Sequence, residues 1–179
     1  IEGFSTKLYF SFFDLLIENP RFSFEGRTRR PPLDEINAML SYGYTLLTSE
    51  LVGICYAVGL DPYVGIYHRS RYGSPALALD LIEEFRAPLV DSLVLKLVNQ
   101  KIIRPDDFYY RERPYKAVYL NRFGRKKFFK YYNDRLNVEI THPLFGKRYT
   151  WRRILEIQVR LMAKVITGEI DEYPPFIRG

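Results

Sequence analysis

The most constraining feature of this sequence is a long segment in which apolar side chains recur at the spacing of an α-helix. Asp34 can cap its start and Gly59 can end it, so a helix is predicted from residue 34 to about Val58. At about 100° per residue, its apolar positions fall within a stripe roughly 60° wide. These positions are Ile36, Leu40, Leu47, Leu51, Ile54 and Val58. A helix with one continuous apolar face has to pack against other elements, and this favours a helical domain.

Most of the remaining chain also reads as helix. Helices are predicted over residues 5–18, 75–86 with a continuation to about 99, 121–136, and 150–168. Ser74 is the expected cap of the second of these, with Pro75 at its first position, and Pro88 marks a kink. Residues 107–120 indicate a small β-hairpin. The prediction is one mainly α domain over residues 1–179, with this hairpin as a possible excursion.

Composition excludes several classes of protein. Hydrophobic residues make up 47% and charged residues 27%, which is typical of a globular rather than a disordered chain. No apolar run approaches the ~20 residues that span a bilayer. The start lacks the pattern of a signal peptide, and the single Cys55 cannot form an internal disulfide, so a buried thiol and a cytoplasmic protein without a membrane are expected. One cysteine also excludes a zinc finger, and no Walker A loop, nucleophile elbow or GxGxxG motif occurs.

Positive charge is concentrated in the second part of the chain. Residues 69–179 carry 22 Lys and Arg against 13 Asp and Glu, whereas residues 1–68 carry five against eight. This asymmetry favours a polyanionic partner, and a merely solvated cationic surface is an equal alternative. Residues 111–135 hold nine of these cations, interleaved with aromatic rings whose helical spacing is more typical of a core. The candidate DNA contacts are Arg27, Arg29 and Arg30 in a loop, and Lys126, Lys127 and Lys130 on a helix.

Glu50 is the first candidate site residue. It lies about 40° from Ile36 around the predicted helix, so it faces the core or its rim. No Lys or Arg occurs between Pro31 and His68, so this carboxylate has no cation nearby in the sequence. Burial of an unpaired charge costs several kcal/mol, and the two candidate partners are a metal ion or a distant arginine. Arg69, Arg71 and Arg86 are the arginines expected to pair with it in the second case.

An imidazole and two further carboxylates follow. His68 lies in a loop between Gly65 and Gly73, and Asp80 and Glu83 share one face of the next predicted helix. Each has a structural alternative: His68 as an exposed loop residue, and the two acids as a solvated face with Glu83 paired to Arg86. His142, which has no acidic neighbour, is interpreted as structural. Taken together, mixed oxygen and nitrogen ligands suit Mg²⁺ or Mn²⁺ in a nuclease-type site.

Three motifs carry a resemblance to a known family. They are PPLDEINAMLSYGYTLL, GLDPYVGIYH and LALDLIEEFR. In this combination the chain strongly resembles the CRISPR-associated integrase, the first numbered protein of the adaptation module, over nearly its whole length. The resemblance implies a helical catalytic domain with a divalent metal held by Glu50, His68 and Glu83, and with Asp80 as an adjacent functional acid. Some members carry Asp where Glu83 stands, which is a compatible ligand.

The resemblance also implies a reaction and partners. The 3′-hydroxyl of a captured DNA fragment attacks a phosphodiester of the CRISPR repeat, so double-stranded DNA is the expected substrate. Arg69 and Arg71 fall where basic residues near the histidine would meet it. The implied protein partner is the second numbered adaptation protein, which bridges two integrase dimers.

One departure from the family pattern leaves alternatives open. Members begin with a β-rich dimerisation domain, and this chain, whose first residue is not Met, begins where the helical domain should start. We therefore expect a C-terminal catalytic domain from which that β-rich domain is absent. A fragment inactive without its dimerisation domain, a non-catalytic DNA-binding module and a purely structural helical domain are the alternatives.

Overall fold

The structure, a computed structural model, describes residues 2–65 and 73–177 of the chain. Helices dominate it, and the prediction of a mainly α fold is confirmed. The helices are α1 (Glu2–Phe13), α2 (Glu35–Val58), α3 (Ala76–Phe85), α4 (Ser92–Asn99), α5 (Arg122–Leu136) and α6 (Trp151–Ile166). The strands are β1 (Phe108–Arg111), β2 (Ala117–Leu120), β3 (Glu139–Thr141) and β4 (Arg148–Thr150). None of the described helices has the length and apolar character that crossing a membrane requires.

Helix α2 forms as the sequence predicts. The Asp34 carboxylate accepts a hydrogen bond of 2.7 Å from the backbone N–H of Asn37, which is the geometry of an N-cap. The helix ends before Gly59, whose φ of 90° lies in the left-handed region that glycine adopts without strain. The first four positions of the predicted apolar stripe are fully buried: Ile36, Leu40, Leu47 and Leu51 have no exposed surface.

Helix α3 differs from the prediction at its start. Pro75 takes the N-cap position and the helix begins at Ala76, so Ser74 is not the cap. The backbone N–H of Leu77 instead donates to the carbonyl of Pro62 over 2.9 Å, which ties the first turn to the preceding loop. At its other end α3 continues into a π-helical turn over Arg86–Asp91, and α4 follows. Pro88 cannot donate a backbone hydrogen bond, and the predicted kink is this wider turn.

Two antiparallel hairpins complete the fold. The predicted hairpin is confirmed: β1 pairs with β2, with Phe108 opposite Leu120 and Arg111 opposite Ala117. The second hairpin pairs β3 with β4 and was not predicted. Its strands have three residues each, and every one of these residues is exposed or only half-buried. Three residues are too few for the alternation of apolar and polar positions to indicate a strand in the sequence.

The chain forms two compact units. Unit 1 comprises residues 1–43 and 90–132, and unit 2 comprises residues 44–89 and 133–179. In unit 1 the rings of Phe10, Phe13 and Phe24 lie within 6 Å of one another, with centroid distances of 5.4–5.9 Å. In unit 2 most of the buried side chains come from α2, α3 and α6, and they include Cys55. Burial raises the pKa of this thiol to about 11, and the prediction of a buried thiol is confirmed.

Two glycines on α2 provide a matched test of this packing. A Cβ at Gly43 would lie 2.5 Å from Cγ1 of Val90 and 3.0 Å from Cζ of Phe128, whereas one at Gly53 would meet no atom of the described residues within 4 Å. We expect Gly43→Ala to lower the free energy of unfolding by about 1–3 kcal/mol through overpacking. Gly53→Ala should raise it by up to about 1 kcal/mol, because alanine is the better helix former. Urea unfolding of both variants decides this, and equal effects would contradict the close approach at Gly43.

Candidate active site

Glu50 lies on α2 in unit 2, and its carboxylate forms an ion pair with the guanidinium of Arg152 on α6. The Glu50 side chain is 22% exposed, so the residue lies at the rim of the core as predicted. The sequence required a partner for this carboxylate, either a metal ion or a distant arginine. The partner in the structure is Arg152 and not Arg86, which pairs with Glu83. The sequence did not predict this partner, because 102 positions separate Arg152 from Glu50.

Arg152 has a second partner in unit 2. Its guanidinium also donates to the side-chain oxygen of Asn133, on α5, over 3.1 Å. The same side chain therefore connects α6 to both α2 and α5. With 45% of its surface exposed, Arg152 is more open to solvent than the carboxylate that it pairs with.

Glu83 lies on α3 and is paired with Arg86 over 2.6 Å, the alternative that the sequence suggested for this acid. The pair is open to solvent, with 43% of the Glu83 side chain exposed. The Arg86 guanidinium also lies 5.1 Å from the centre of the Tyr44 ring, on α2. This cation–π contact places the end of α3 beside the middle of α2.

The contacts at the two ends of α3 show how it runs along α2. Arg86 meets Tyr44 at one end, and Leu77 is bonded to Pro62 at the other, so the two helices are antiparallel. Glu50 comes six residues after Tyr44, and Asp80 comes six residues before Arg86. Each of these steps is about 9 Å along a helix axis. From these two contacts we infer that Glu50 and Asp80 lie at about the same level of the two helices, with Glu83 one turn further along α3.

Carboxylates are the donor type that suits a hard divalent cation, since Mg²⁺ and Mn²⁺ prefer oxygen ligands. Among residues 2–65 and 73–177, no three His, Cys, Asp or Glu side chains already form a metal-binding group. His68, Arg69 and Arg71 lie outside the described residues. The ligand set of Glu50, His68 and Glu83 therefore stays a prediction, and both of its described carboxylates are held by arginine.

The loop arginines expected to contact DNA have different surroundings. Arg27 donates to the side chains of Asn37 over 2.8 Å and Ser41 over 3.1 Å, so its guanidinium joins the loop to the first turns of α2. Arg29 and Arg30 are exposed. Arg29 and Arg30 therefore remain suited to a contact with DNA, whereas Arg27 has a structural role.

The three lysines of α5 also differ from one another. The Lys127 ammonium contacts both carboxylate oxygens of the buried Asp107 at 2.8 Å. Lys126 and Lys130 are exposed. The phosphate-binding candidates on this helix are therefore Lys126 and Lys130, whereas Lys127 stabilises the fold through Asp107.

A network around Glu84 was not predicted. This carboxylate accepts hydrogen bonds from the backbone N–H of Phe176 over 2.6 Å and from the Gln158 amide over 3.2 Å. Burial raises its pKa above the usual range. Gln158 also donates to the Tyr173 hydroxyl and the Pro174 carbonyl, at 2.8 and 3.1 Å. The Glu84 carboxylate thus fixes residues 173–176 against α3 and α6, and the only sequence signal was the acidic pair at positions 83 and 84.

His142 belongs to the same region of unit 2 and has the structural role that the sequence suggested. Its side chain is 1% exposed, and Nδ1 accepts a hydrogen bond of 3.2 Å from the backbone N–H of Leu144. The ring centre lies 4.8 Å from that of Phe145 and 5.6 Å from that of Phe176. Burial lowers the pKa of this imidazole, because the charged form is disfavoured inside the aromatic cluster.

Comparison with known sequences points to one family. The family model described as CRISPR associated protein Cas1 matches residues 1–134. The CRISPR-associated endonuclease Cas1 of Leptospira interrogans is 44% identical over 98% of the chain and 69% of that protein. The CRISPR-associated endonuclease Cas1 1 of Chlorobaculum tepidum is 44% identical over 99% of the chain. The chain spans 52% of this second relative, and about half of several others.

Solved structures agree with the sequence matches. A casposase bound to integration product superposes with a TM-score of 0.86 and 30% identity, over 99% of the chain and 50% of that protein. A chain of a Cas6-RT-Cas1–Cas2 complex superposes with a TM-score of 0.84 and 28% identity, over 98% of the chain and 19% of that protein. The helical fold described above is therefore shared with both.

The buried histidine generates a prediction for pH. Its pKa is lower in the folded protein than its value of about 6.5 in an unfolded chain, so the unfolded chain binds a proton first as the pH falls. The resulting stabilisation is present above pH 6.5 and is lost below it. Between pH 6.5 and 5, we expect the free energy of unfolding to fall by up to about 1.4 kcal/mol per pH unit more steeply than in His142→Asn. Urea unfolding across this range measures the difference, and parallel curves would show that the imidazole does not titrate in this way.

Proposed function

The chain belongs to the family of the CRISPR-associated protein Cas1, and on that premise we propose that it carries the active site of a metal-dependent DNA endonuclease and integrase. The observation that supports the proposal is the pair of contacts between α3 and the segment of α2 and its following loop, Arg86 with Tyr44 and Leu77 with Pro62, from which we infer that Glu50 and Asp80 lie at one level. Two observations on similar proteins support the same chemistry. The relatives are named endonucleases, and one structural neighbour is a casposase bound to integration product.

The proposed reaction inserts a new spacer into a CRISPR array by transesterification. The 3′-hydroxyl oxygen of a captured DNA fragment forms a bond to a phosphorus of the repeat. The bond from that phosphorus to its original 3′-oxygen breaks, and the departing oxygen takes up a proton. The number of phosphodiester bonds is unchanged. When water replaces the 3′-hydroxyl, the same site hydrolyses DNA as an endonuclease.

Each residue of the proposed site would have a distinct role in this reaction. Glu50, His68 and Glu83 are the proposed ligands of Mg²⁺ or Mn²⁺, and Asp80 would orient a ligand or water from the second shell. A divalent ion in this position supplies Lewis-acid stabilisation of the charge that builds up on the phosphate. Before Glu50 and Glu83 can bind it, their carboxylates have to leave Arg152 and Arg86.

The DNA backbone would be held by exposed cations. Arg29 and Arg30 in the loop before α2, and Lys126 and Lys130 on α5, are open to solvent. Arg69 and Arg71 are proposed contacts from their sequence position beside His68. Neutralisation of phosphates by such side chains releases counterions and makes the affinity for DNA fall with added salt.

The proposed partners follow from the family. They are the second numbered adaptation protein, Cas2, and a second copy of the full-length protein as a homodimer. The neighbour solved as a Cas6-RT-Cas1–Cas2 complex supports the first of these. The proposal places the reaction in the cytoplasm, where the CRISPR array lies.

One observation favours a second candidate function. Both described carboxylates of the proposed ligand set are paired with arginines, as in a purely structural ion-pair network. A non-catalytic DNA-binding module would have this property. Such a module binds DNA with the expected salt dependence but does not nick it in the presence of Mn²⁺.

Substitution of Glu50 separates the two functions. We expect Glu50→Gln to lower Mn²⁺-dependent nicking of branched DNA by about 100-fold or more, because a ligand carboxylate is lost. The fold should persist, since the amide oxygen can still accept from Arg152 and partly exposed ion pairs contribute at most about 1 kcal/mol.

Glu156→Gln is the matched control for this experiment. Glu156 is also a glutamate of unit 2, paired with Arg153 over 2.6 Å and Arg160 over 2.8 Å, but it lies outside the proposed ligand set. It should nick DNA like the unchanged protein. Equal nicking by both variants would remove Glu50 from the mechanism, and DNA binding without nicking by all three proteins would contradict an endonuclease that acts on its own and would favour the binding module.

The lysines of α5 test the path of the DNA. Replacement of Lys126 and Lys130 together by Gln should weaken DNA binding and reduce the slope of log affinity against log salt by about one per lysine. Lys127→Gln should instead lower the free energy of unfolding, because it leaves the buried Asp107 carboxylate without its cation. Fluorescence anisotropy at several salt concentrations measures the slope. An unchanged slope in the double variant would place the DNA elsewhere.

A further inference from the structure

Arg152 pairs with a carboxylate on another helix, which is Glu50 on α2. It occupies the first turn of α6, which reads Trp151, Arg152, Arg153 and Ile154. The N-terminal end of a helix carries partial positive charge, so cations there are unfavourable by a few tenths of a kcal/mol up to about 1 kcal/mol. Arg153 is compensated one turn later by Glu156, at 2.6 Å. The acid that compensates Arg152 is Glu50, on a different helix.

The geometry of the Glu50–Arg152 pair has a consequence for metal binding. Glu50 cannot give its oxygens to a divalent ion and keep a full ion pair with a guanidinium, because the two cations repel each other and compete for the same charge. The arginine is the more exposed partner, at 45% against 22% for the glutamate. It can therefore turn towards solvent when the carboxylate is taken, without opening the core.

We propose, on the basis of the function proposed above, that Arg152 is a substrate-binding residue that is held by Glu50 until metal arrives. In the metal-free protein it neutralises a carboxylate that would otherwise lie unpaired at the rim of the core. Once an ion occupies Glu50, the released guanidinium binds the non-bridging oxygens of the DNA phosphate that enters the site. The arginine thus couples metal binding to phosphate binding.

The chemistry of the side chain suits this role. A guanidinium presents parallel N–H groups that match two phosphate oxygens at once, and it stays charged at any working pH. Asn133 accepts one of its N–H groups over 3.1 Å, so the side chain keeps one anchor when its bond to Glu50 breaks. The residue that binds the phosphate then stays beside the carboxylate that binds the ion.

The first test measures metal affinity rather than activity. Electron paramagnetic resonance of free aqueous Mn²⁺ gives the Kd of the protein and of Arg152→Gln and Arg153→Gln. Removal of the competing guanidinium should tighten Mn²⁺ binding of Arg152→Gln about three- to fivefold, which corresponds to a partly exposed ion pair. Arg153→Gln, a neighbour with a different partner, should stay within twofold. Unchanged or weaker Mn²⁺ binding by Arg152→Gln would overturn the proposal.

A second variant guards against loss of folding. Arg152→Lys keeps the positive charge beside Glu50 but replaces the parallel N–H groups of the guanidinium by a single ammonium. Its Mn²⁺ affinity should stay close to that of the unchanged protein, while its affinity for DNA in Mn²⁺ should fall. If Arg152→Lys and the unchanged protein bind DNA equally well in the presence of Mn²⁺, the phosphate-binding part of the proposal is wrong.

The second measurement is DNA affinity with and without metal. Fluorescence anisotropy of a labelled duplex should show that Arg152→Gln loses about tenfold in affinity when Mn²⁺ is present and changes less than twofold when it is absent. An equal loss in both conditions would make Arg152 an ordinary surface cation and overturn the coupling.

Glu50→Gln distinguishes failure of this inference from failure of the proposed function. If the unchanged protein binds Mn²⁺ and Glu50→Gln does not, the metal site stands, and the behaviour of Arg152→Gln decides the inference alone. If Glu50→Gln binds Mn²⁺ as well as the unchanged protein does, Glu50 is not a ligand and both proposals fall.

Discussion

Burial of one face of α2 determines where Glu50 can point, and the candidate site depends on this constraint. Leu47 and Leu51 are fully buried, and the half-buried Ile54 lies between them and Glu50 around the helix. Adjacent helix positions are about 100° apart, so this carboxylate is fixed at the edge of the buried stripe. With 22% of its side chain exposed, it is only partly hydrated. A cation must therefore accompany it, whether a guanidinium or a metal ion.

Elementary electrostatics decides which cation is favoured. Two unit charges about 4 Å apart attract by about 4 kcal/mol at an effective dielectric constant near 20, and a divalent ion doubles this energy. An arginine also loses side-chain freedom when it is held, which reduces its advantage. The pair between Glu50 and Arg152 is therefore one that a divalent ion with further ligands can displace. The same carboxylate can serve stability in one state and ligation in another.

The sequence predicted what depends on neighbours along the chain. Helical periodicity and capping located α2, α5 and α6, and the lack of nearby cations marked Glu50 as a residue that needed a distant partner. Contacts between remote segments were beyond this reasoning. Arg152 looks like any exposed helix cation in the sequence, and Lys127 gives no sign of its pairing with Asp107. The strands of the second hairpin are too short and too exposed to show a period.

The orientation of the acids on α3 is set from the other end of the chain. Glu84 accepts a bond from the backbone of Phe176, 92 positions later, and Phe85 stacks on the ring of that residue at 5.4 Å. These two contacts prevent α3 from rotating about its axis without loss of a buried hydrogen bond and of aromatic packing. Glu83 lies about 100° from Glu84 around the helix, so its direction is fixed by the same contacts. The buried polar network thus positions an exposed carboxylate that it never touches.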